Sequence, residues 1–188
     1  MKIIGISGSI VGSKTRIAVE NVLNRINEQH EDIEVELIDL KKYELVFSDG
    51  RNYRDYTGDT KIVLEKIMEA DGYIIGTPTF QASIPGTLKN LFDLLPMDAF
   101  RDKMVGLVST AGSAKHYLVA EQQLKPILTY MQAMVIPKYV FIEEKYYHNQ
   151  AIIDDEIIFR LNRLAEDVVH FIRAAKHKRE SEESAYPF

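Results

Sequence analysis

Two hydrophobic patterns take turns along this chain: short continuous apolar runs, and longer stretches with an apolar residue every three or four positions. Lys2 to Ser7 (KIIGIS) is a run of the first kind, stopping at Gly8-Ser9, and predicts a strand buried on both faces. From Ser13 to Gln29, Ile17, Ala18, Val22, Leu23 and Ile26 recur at helical spacing. Ile33 to Ile38 (IEVELI) alternates instead, which predicts a strand nearer a sheet edge with Glu34 and Glu36 on one side. Thr60 to Ala70 predicts a helix, Gly72 to Thr77 (GYIIGT) a third buried strand ending at Pro78, and Ser83 to Leu95 a further helix. Lys103 to Ser109 (KMVGLVS) reads as a fourth strand, and Lys115 to Met131 as mostly helical with a break or kink at Pro126. Met134 to Ile142 contains a fifth strand, and Glu156 to Lys176 a long amphipathic helix. Between the second strand and the next helix, Lys41 to Asp59 is a long polar loop carrying Tyr43, Phe47, Tyr53 and Tyr56. Compact domains keep loops of that length for function or leave them disordered.

Strands alternating with helices imply a parallel sheet covered on both faces. Five strands joined by right-handed crossovers predict an α/β fold, a doubly wound five-stranded parallel sheet in the flavodoxin-like order 2-1-3-4-5. No repeat or linker interrupts the chain, so one domain is expected over residues 1–176, with 177–188 a charged, flexible tail. In such sheets ligands bind beyond the carboxyl ends of the strands, near the switch point between strands 1 and 3. The loops after strands 1, 3 and 4 are therefore where chemistry is expected.

Composition narrows the function classes. Of the 188 residues 46% are hydrophobic and 27% charged, which is ordinary for a globular chain. No apolar run approaches the roughly 20 residues of a membrane span, and no signal-peptide pattern opens the chain, so no membrane partner is expected. The absence of cysteine removes disulfides, thiolate metal sites and thiol catalysis together, and fits a cytoplasmic location. A net charge of −5 without a basic stripe speaks against nucleic acid. The five histidines are scattered, with no pair at metal-site spacing, so no metal is expected.

After strand 1, Gly8-Ser9-Ile10-Val11-Gly12-Ser13-Lys14-Thr15 runs directly into a helix. A helix N-terminus offers free N–H groups and partial positive charge to a phosphate, here beside hydroxyls of Ser9, Ser13 and Thr15 and the cations Lys14 and Arg16. Ser13 before Lys14 excludes a Walker A loop, and the glycine spacing excludes G-x-G-x-x-G. A cradle for one terminal phosphate fits better; the alternative is that Ser13 only caps the helix. After strand 3, Pro78, Thr79, Phe80, Gln81 and Ser83 form a stiff loop able to lie along a flat heteroaromatic ring, or merely a turn leading to Pro85 near a helix start. After strand 4, Thr110, Ala111, Gly112 and Ser113 are small enough for a ring edge to approach the backbone. With Val11 and Gly12, these residues make up the candidate cofactor-binding set.

Together the segments G-S-x-x-G-S-K-T (Gly8 to Thr15), G-T-P-T-F (Gly76 to Phe80), P-G-x-L-K-N (Pro85 to Asn90) and S-T-A-G-S (Ser109 to Ser113) resemble the NADPH-dependent FMN reductase family, which includes azobenzene and quinone reductases. The resemblance runs from strand 1 through Pro137. It implies that Ser9, Ser13 and Thr15 hold the phosphate of FMN. Pro78, Thr79, Phe80 and Gln81 would then line the isoalloxazine and ribityl chain, and Thr110, Gly112 and Ser113 would meet the ring's other polar edge. It further implies NADPH or NADH as co-substrate, a homodimer or homotetramer, and no metal. Three departures stand out. The phosphate loop is one residue shorter than usual and lacks its common arginine, for which Lys14 or Arg16 would substitute. Phe80 replaces the usual tyrosine. The Lys41 to Asp59 loop has no family counterpart.

The expected activity is therefore an FMN-dependent NAD(P)H oxidoreductase. Hydride would pass from nicotinamide through the flavin to a small acceptor such as FMN, a quinone, an azo or nitro compound, or a metal ion. Because the flavin carries the chemistry, no acid–base residue is required, although His116 beside the strand-4 loop could reach the ring. The rivals are a flavodoxin-like electron carrier without NAD(P)H turnover and a regulator that has lost its ligand.

Overall fold

The computed structural model describes residues 1–185, with side chains through Lys178. The elements follow in the order β1 (Lys2–Ser7), α1 (Lys14–Gln29), β2 (Glu34–Asp39), α2 (Gly58–Glu69), β3 (Gly72–Pro78), α3 (Gly86–Leu94) and β4 (Met104–Ala111). Then come α4 (Lys125–Tyr130), β5 (Met134–Val135), β6 (Val140–Glu143), β7 (Tyr147–His148), β8 (Ala151–Ile152) and α5 (Asp155–Ala185). The main sheet is parallel, in the expected order β2-β1-β3-β4-β5, with β6 also paired to β4. β5 pairs with Met104 and Val105, and β6 with Val108 to Ala111. The fifth strand is thus one edge in two pieces, interrupted where Pro137 has no N–H to give a ladder.

Alternate residues of the central strands feed two cores. Ile4, Ile6, Tyr73, Ile75, Val105 and Leu107 pack with α2, α3 and α4 on one face. Ile3, Ile74 and Val108 pack with α1 and α5 on the other. All of these side chains are fully buried, which is why the strands read as unbroken apolar runs.

Four segments depart from the sequence expectation. α3 starts at Gly86, not Ser83, because Gln81 and Ala82 take φ of 48° and 59° in a tight turn. That turn is closed by Phe80 N–H to Ser83 O at 2.9 Å and Ser83 N–H to Phe80 O at 3.0 Å. The stretch 115–131 is not one helix: a 3₁₀ turn at Ala114–His116 and a π-helical turn at Ala120–Leu124 precede α4. Pro126 in the first turn of α4 has no N–H for the carbonyl four residues back, and the ladder shifts just ahead of it. The β7–β8 hairpin, turning on Asn149 and Gln150 at φ 44° and 63°, goes unseen in the hydrophobic pattern because its strands are two residues long. Finally, α5 continues through 177–185, where charged composition predicts a frayed tail; residues 186–188 lie outside the described residues.

The 41–59 loop is tied down. Asn90 of α3 accepts from Ser48 N–H at 3.0 Å and donates to Val46 O at 2.9 Å. Thr60 Oγ1 accepts from Val46 N–H at 3.1 Å, and Tyr56 is buried in the α2–α3 core. Among the described residues no helix is long and apolar enough to cross a membrane.

Candidate functional site

The carboxyl ends of β1, β3, β4 and β6 open at one end of the sheet, and close packing there fixes their loops. Gly76 faces α1: a Cβ on it would fall 2.4 Å from Val19 Cγ2 and 2.9 Å from Thr15 Cγ2, so the first turns of α1 lie directly on β3. Gly8 N–H donates to Gly76 O at 2.8 Å, and Thr79 N–H to Thr110 O at 3.0 Å. The hydroxyls of Thr15 and Thr110 meet at 2.8 Å, joining the start of α1 to the end of β4.

The N-terminus of α1 is open. Ser13 sits at the cap position but makes no side-chain cap bond, so the reading of Ser13 as a simple cap does not hold. No acidic residue lies in the first turn to neutralise the N–H groups that a helix start leaves without partners. Gly12, at φ 72°, turns the chain into the helix with nothing within 4 Å of its would-be side chain. That space belongs to a cavity of about 460 Å³.

The cavity gathers eleven of the candidate residues: Val11, Gly12, Ser13, Lys14, Thr15, Pro78, Thr79, Phe80, Thr110, Ala111 and Gly112. Four others do not line it. The Ser9 hydroxyl donates to Val11 O at 2.7 Å and accepts from Val11 N–H, shaping the loop from within. Gln81 occupies the tight turn beyond Phe80. Ser83 Oγ reaches Gln123 Oε1 at 3.4 Å, and Ser113 Oγ caps the 3₁₀ turn by accepting from Lys115 N–H. His116 lies in that 3₁₀ turn and is not among the residues lining the cavity.

Three lining residues escape the sequence reading: Ile142, Glu144 and Tyr147. Ile142 lies in the fifth strand and Glu144 and Tyr147 follow it, at a fourth carboxyl end whose signal in the sequence is the charged and aromatic run Glu143 to Tyr147. Lys14 Nζ donates to Glu144, and this bond and charge hold the Glu144 carboxyl below the usual carboxylate range. The Tyr147 hydroxyl donates to Lys14 O at 3.1 Å, and burial pushes that phenol up. Arg16 is spent on Glu20, both oxygens at 2.6 Å, and does not line the cavity. Of the two cations able to replace the missing loop arginine, Lys14 is the one at the site.

One buried polar atom in the cavity wall has no partner: Thr79 Oγ1. A buried hydroxyl left open in this way suits a polar ligand. Hydroxyls and amides at a helix start, an apolar aromatic wall at Phe80 and small residues at Ala111 and Gly112 suit a phosphorylated, flat molecule that brings its own reactivity. A second cavity of about 530 Å³ adjoins the first across Val11 and Phe80, walled by Leu40, by Tyr43, Leu45 and Phe47 of the long loop and by Pro85, Thr87 and Asn90. Among the described residues no His, Cys, Asp and Glu side chains are grouped to hold a metal.

Comparison with known proteins gives the same direction. The family described as NADPH-dependent FMN reductase matches residues 1–147. An NAD(P)H-dependent FAD/FMN reductase of Geobacillus thermodenitrificans (strain NG80-2) is 44% identical over 171 residues, covering 90% of this chain and 92% of that protein. Among solved structures, an apo NADH:FMN oxidoreductase superposes with a TM-score of 0.76 at 24% identity, covering 92% of this chain and 89% of the other. A flavodoxin from the domain Archaea superposes at 0.58 and 18% identity, over 92% and 99% of the two chains. These last two likenesses speak for the fold alone.

Proposed function

Because the chain belongs to the NADPH-dependent FMN reductase family and is an FMN-dependent NAD(P)H oxidoreductase, we propose that its 460 Å³ cavity is the flavin site. The phosphate of FMN is held by the amides of Gly12 to Thr15, by the Ser13 and Thr15 hydroxyls and by Lys14 at the start of α1. Pro78, Thr79 and Phe80 lie along the ring, and Thr110, Ala111 and Gly112 meet its other edge. FMN bound there would supply the redox chemistry that links a nicotinamide donor to an acceptor. The protein's own part is to grip one phosphate, orient the ring and leave a face open. Thr79 supplies the hydroxyl that the fold leaves unpartnered, and Phe80 separates the flavin cavity from its apolar neighbour.

The observation that carries this reading is the start of α1, uncapped by Ser13 and with no acid in its first turn, facing a cavity that four strand ends share. The acceptor is a small molecule reaching the exposed ring: FMN, a quinone, an azo or nitro compound, or a metal ion. Residues 1–176 act as one flavin-binding unit in the cytoplasm, a location the cysteine-free sequence supports. Exposed Met97 and Tyr130 beside α3 and α4 favour a homodimer or homotetramer.

The test is an absorption spectrum of the purified protein followed by anaerobic titration with NADH and NADPH. A flavin spectrum bleached by either nicotinamide is expected. In Ser13→Asp, like charge meets the phosphate and FMN affinity falls by about tenfold or more. Unchanged affinity in that variant refutes the phosphate assignment, and a flavin that neither nicotinamide bleaches returns the electron-carrier reading.

A further inference from the structure

Lys14 and Glu144 lie 130 positions apart in sequence, and both line the flavin cavity. Lys14 opens α1, where an anion belongs; Glu144 comes from the turn after β6. Their side chains keep 42% and 65% of their exposure. Ion pairs so exposed contribute little to stability, so the fold does not explain why a carboxylate stands at a helix start whose own first turn carries no acid. The carboxylate is also held in place. Tyr147, three residues on, bonds the backbone carbonyl of Lys14, which anchors this segment on the first turn of α1. A Cβ on Gly112 would lie 3.7 Å from Glu144 Oε2, so the carboxylate overhangs the β4 loop as well. Neighbouring cations are engaged elsewhere, Arg16 with Glu20 at 2.6 Å and Lys145 with Glu143 at 2.8 Å.

We infer that Glu144 is a built-in stand-in for the flavin phosphate, occupying Lys14 in the flavin-free protein and holding the affinity for FMN down. The inference rests on the phosphate assignment made above. An incoming phosphate finds its cation already neutralised. Once Lys14 turns to it, Glu144 is left as an unpaired negative charge in the wall of the same cavity. Both effects act on the phosphate and neither acts on the ring. The site therefore discriminates less between phosphorylated and unphosphorylated flavin than its helix start and hydroxyls would otherwise allow.

Fluorescence-quenching titrations of FMN and of riboflavin against flavin-stripped protein, wild type and Glu144→Gln, test this. The substitution is isosteric at an exposed position, and circular dichroism of both proteins is the control for folding. Glu144→Gln is expected to tighten FMN about three- to tenfold and to leave riboflavin unchanged. FMN affinity that is unchanged or weakened overturns the inference, and so does equal tightening of riboflavin, which would place the effect on the ring. Wild-type protein that binds riboflavin as tightly as FMN removes the phosphate assignment together with the inference. A wild-type preference for FMN that Glu144→Gln does not increase removes the inference alone.

Discussion

Gly76→Ala adds one methyl group where β3 and α1 touch. The new carbon lands 2.4 Å from Val19 Cγ2 and 2.9 Å from Thr15 Cγ2. Both neighbours are β-branched and sit on a helix, where such side chains have little rotamer freedom, so neither can swing aside. Relief requires α1 to move off the sheet. Overpacking of this kind costs about 1–3 kcal/mol. In a chain of this size each kcal/mol lowers the melting midpoint by about 2–4 °C. The helix that moves carries Thr15, bonded to Thr110 in the cavity wall, together with the first-turn amides, so FMN binding weakens in parallel. Urea unfolding of wild type, Gly76→Ala, Val19→Ala and the double variant isolates the contact. Val19 is fully buried, and its truncation alone costs about 1–3 kcal/mol. It also removes the closest clashing atom, so the double variant should fall short of the sum of the singles by about 1 kcal/mol or more. Strict additivity would refute the steric account. Wild-type FMN affinity in Gly76→Ala would refute the claim that the seat of α1 sets the site.

Asn90→Ala removes two of the three bonds that hold Val46 and Ser48 to α3, leaving Ser48 Oγ on Asp93 O at 2.9 Å. Hydrogen exchange of the amides from Glu44 to Asp49 should accelerate by about tenfold, as expected for a local loss of about 1–2 kcal/mol, while exchange in β1 and β3 stays as it was. Equal acceleration throughout would mean that Asn90 supports the whole fold. At alkaline pH the buried phenols contribute to the pH dependence of stability. Burial pushes Tyr139 up from 10.0 to about 12, and its hydroxyl donates to Tyr117 O. The folded state keeps that proton after the unfolded chain has lost it. The contribution is therefore complete below about pH 10 and is lost as the pH rises toward about 12. Tyr73 and Tyr147 shift in the same direction. Urea midpoints should fall over this interval, and less steeply in Tyr139→Phe; an equal slope in that variant would remove Tyr139 from the account.

Where burial alone dictates residue type, the linear pattern was enough to read the fold. KIIGIS, GYIIGT and KMVGLVS can only be strands covered on both faces, and strand–helix alternation with right-handed crossovers leaves few sheet orders open. The three loops at the strand ends were legible for the same reason: the fold class says where they must converge, and eleven candidate residues do line one cavity. Local geometry was not legible. That Gln81 and Ala82 adopt positive φ and delay α3 depends on bonds between Phe80 and Ser83, which no propensity encodes. That Ser9 turns inward while Thr79 stays open depends on which hydroxyl finds a partner after folding. The meeting of Lys14 with Glu144 and Tyr147 depends on the register of β6 against β4 and on the hairpin that follows. Amino-acid order specifies which groups can be buried and how often they recur, whereas contacts between residues 130 positions apart exist only once the sheet has brought them together.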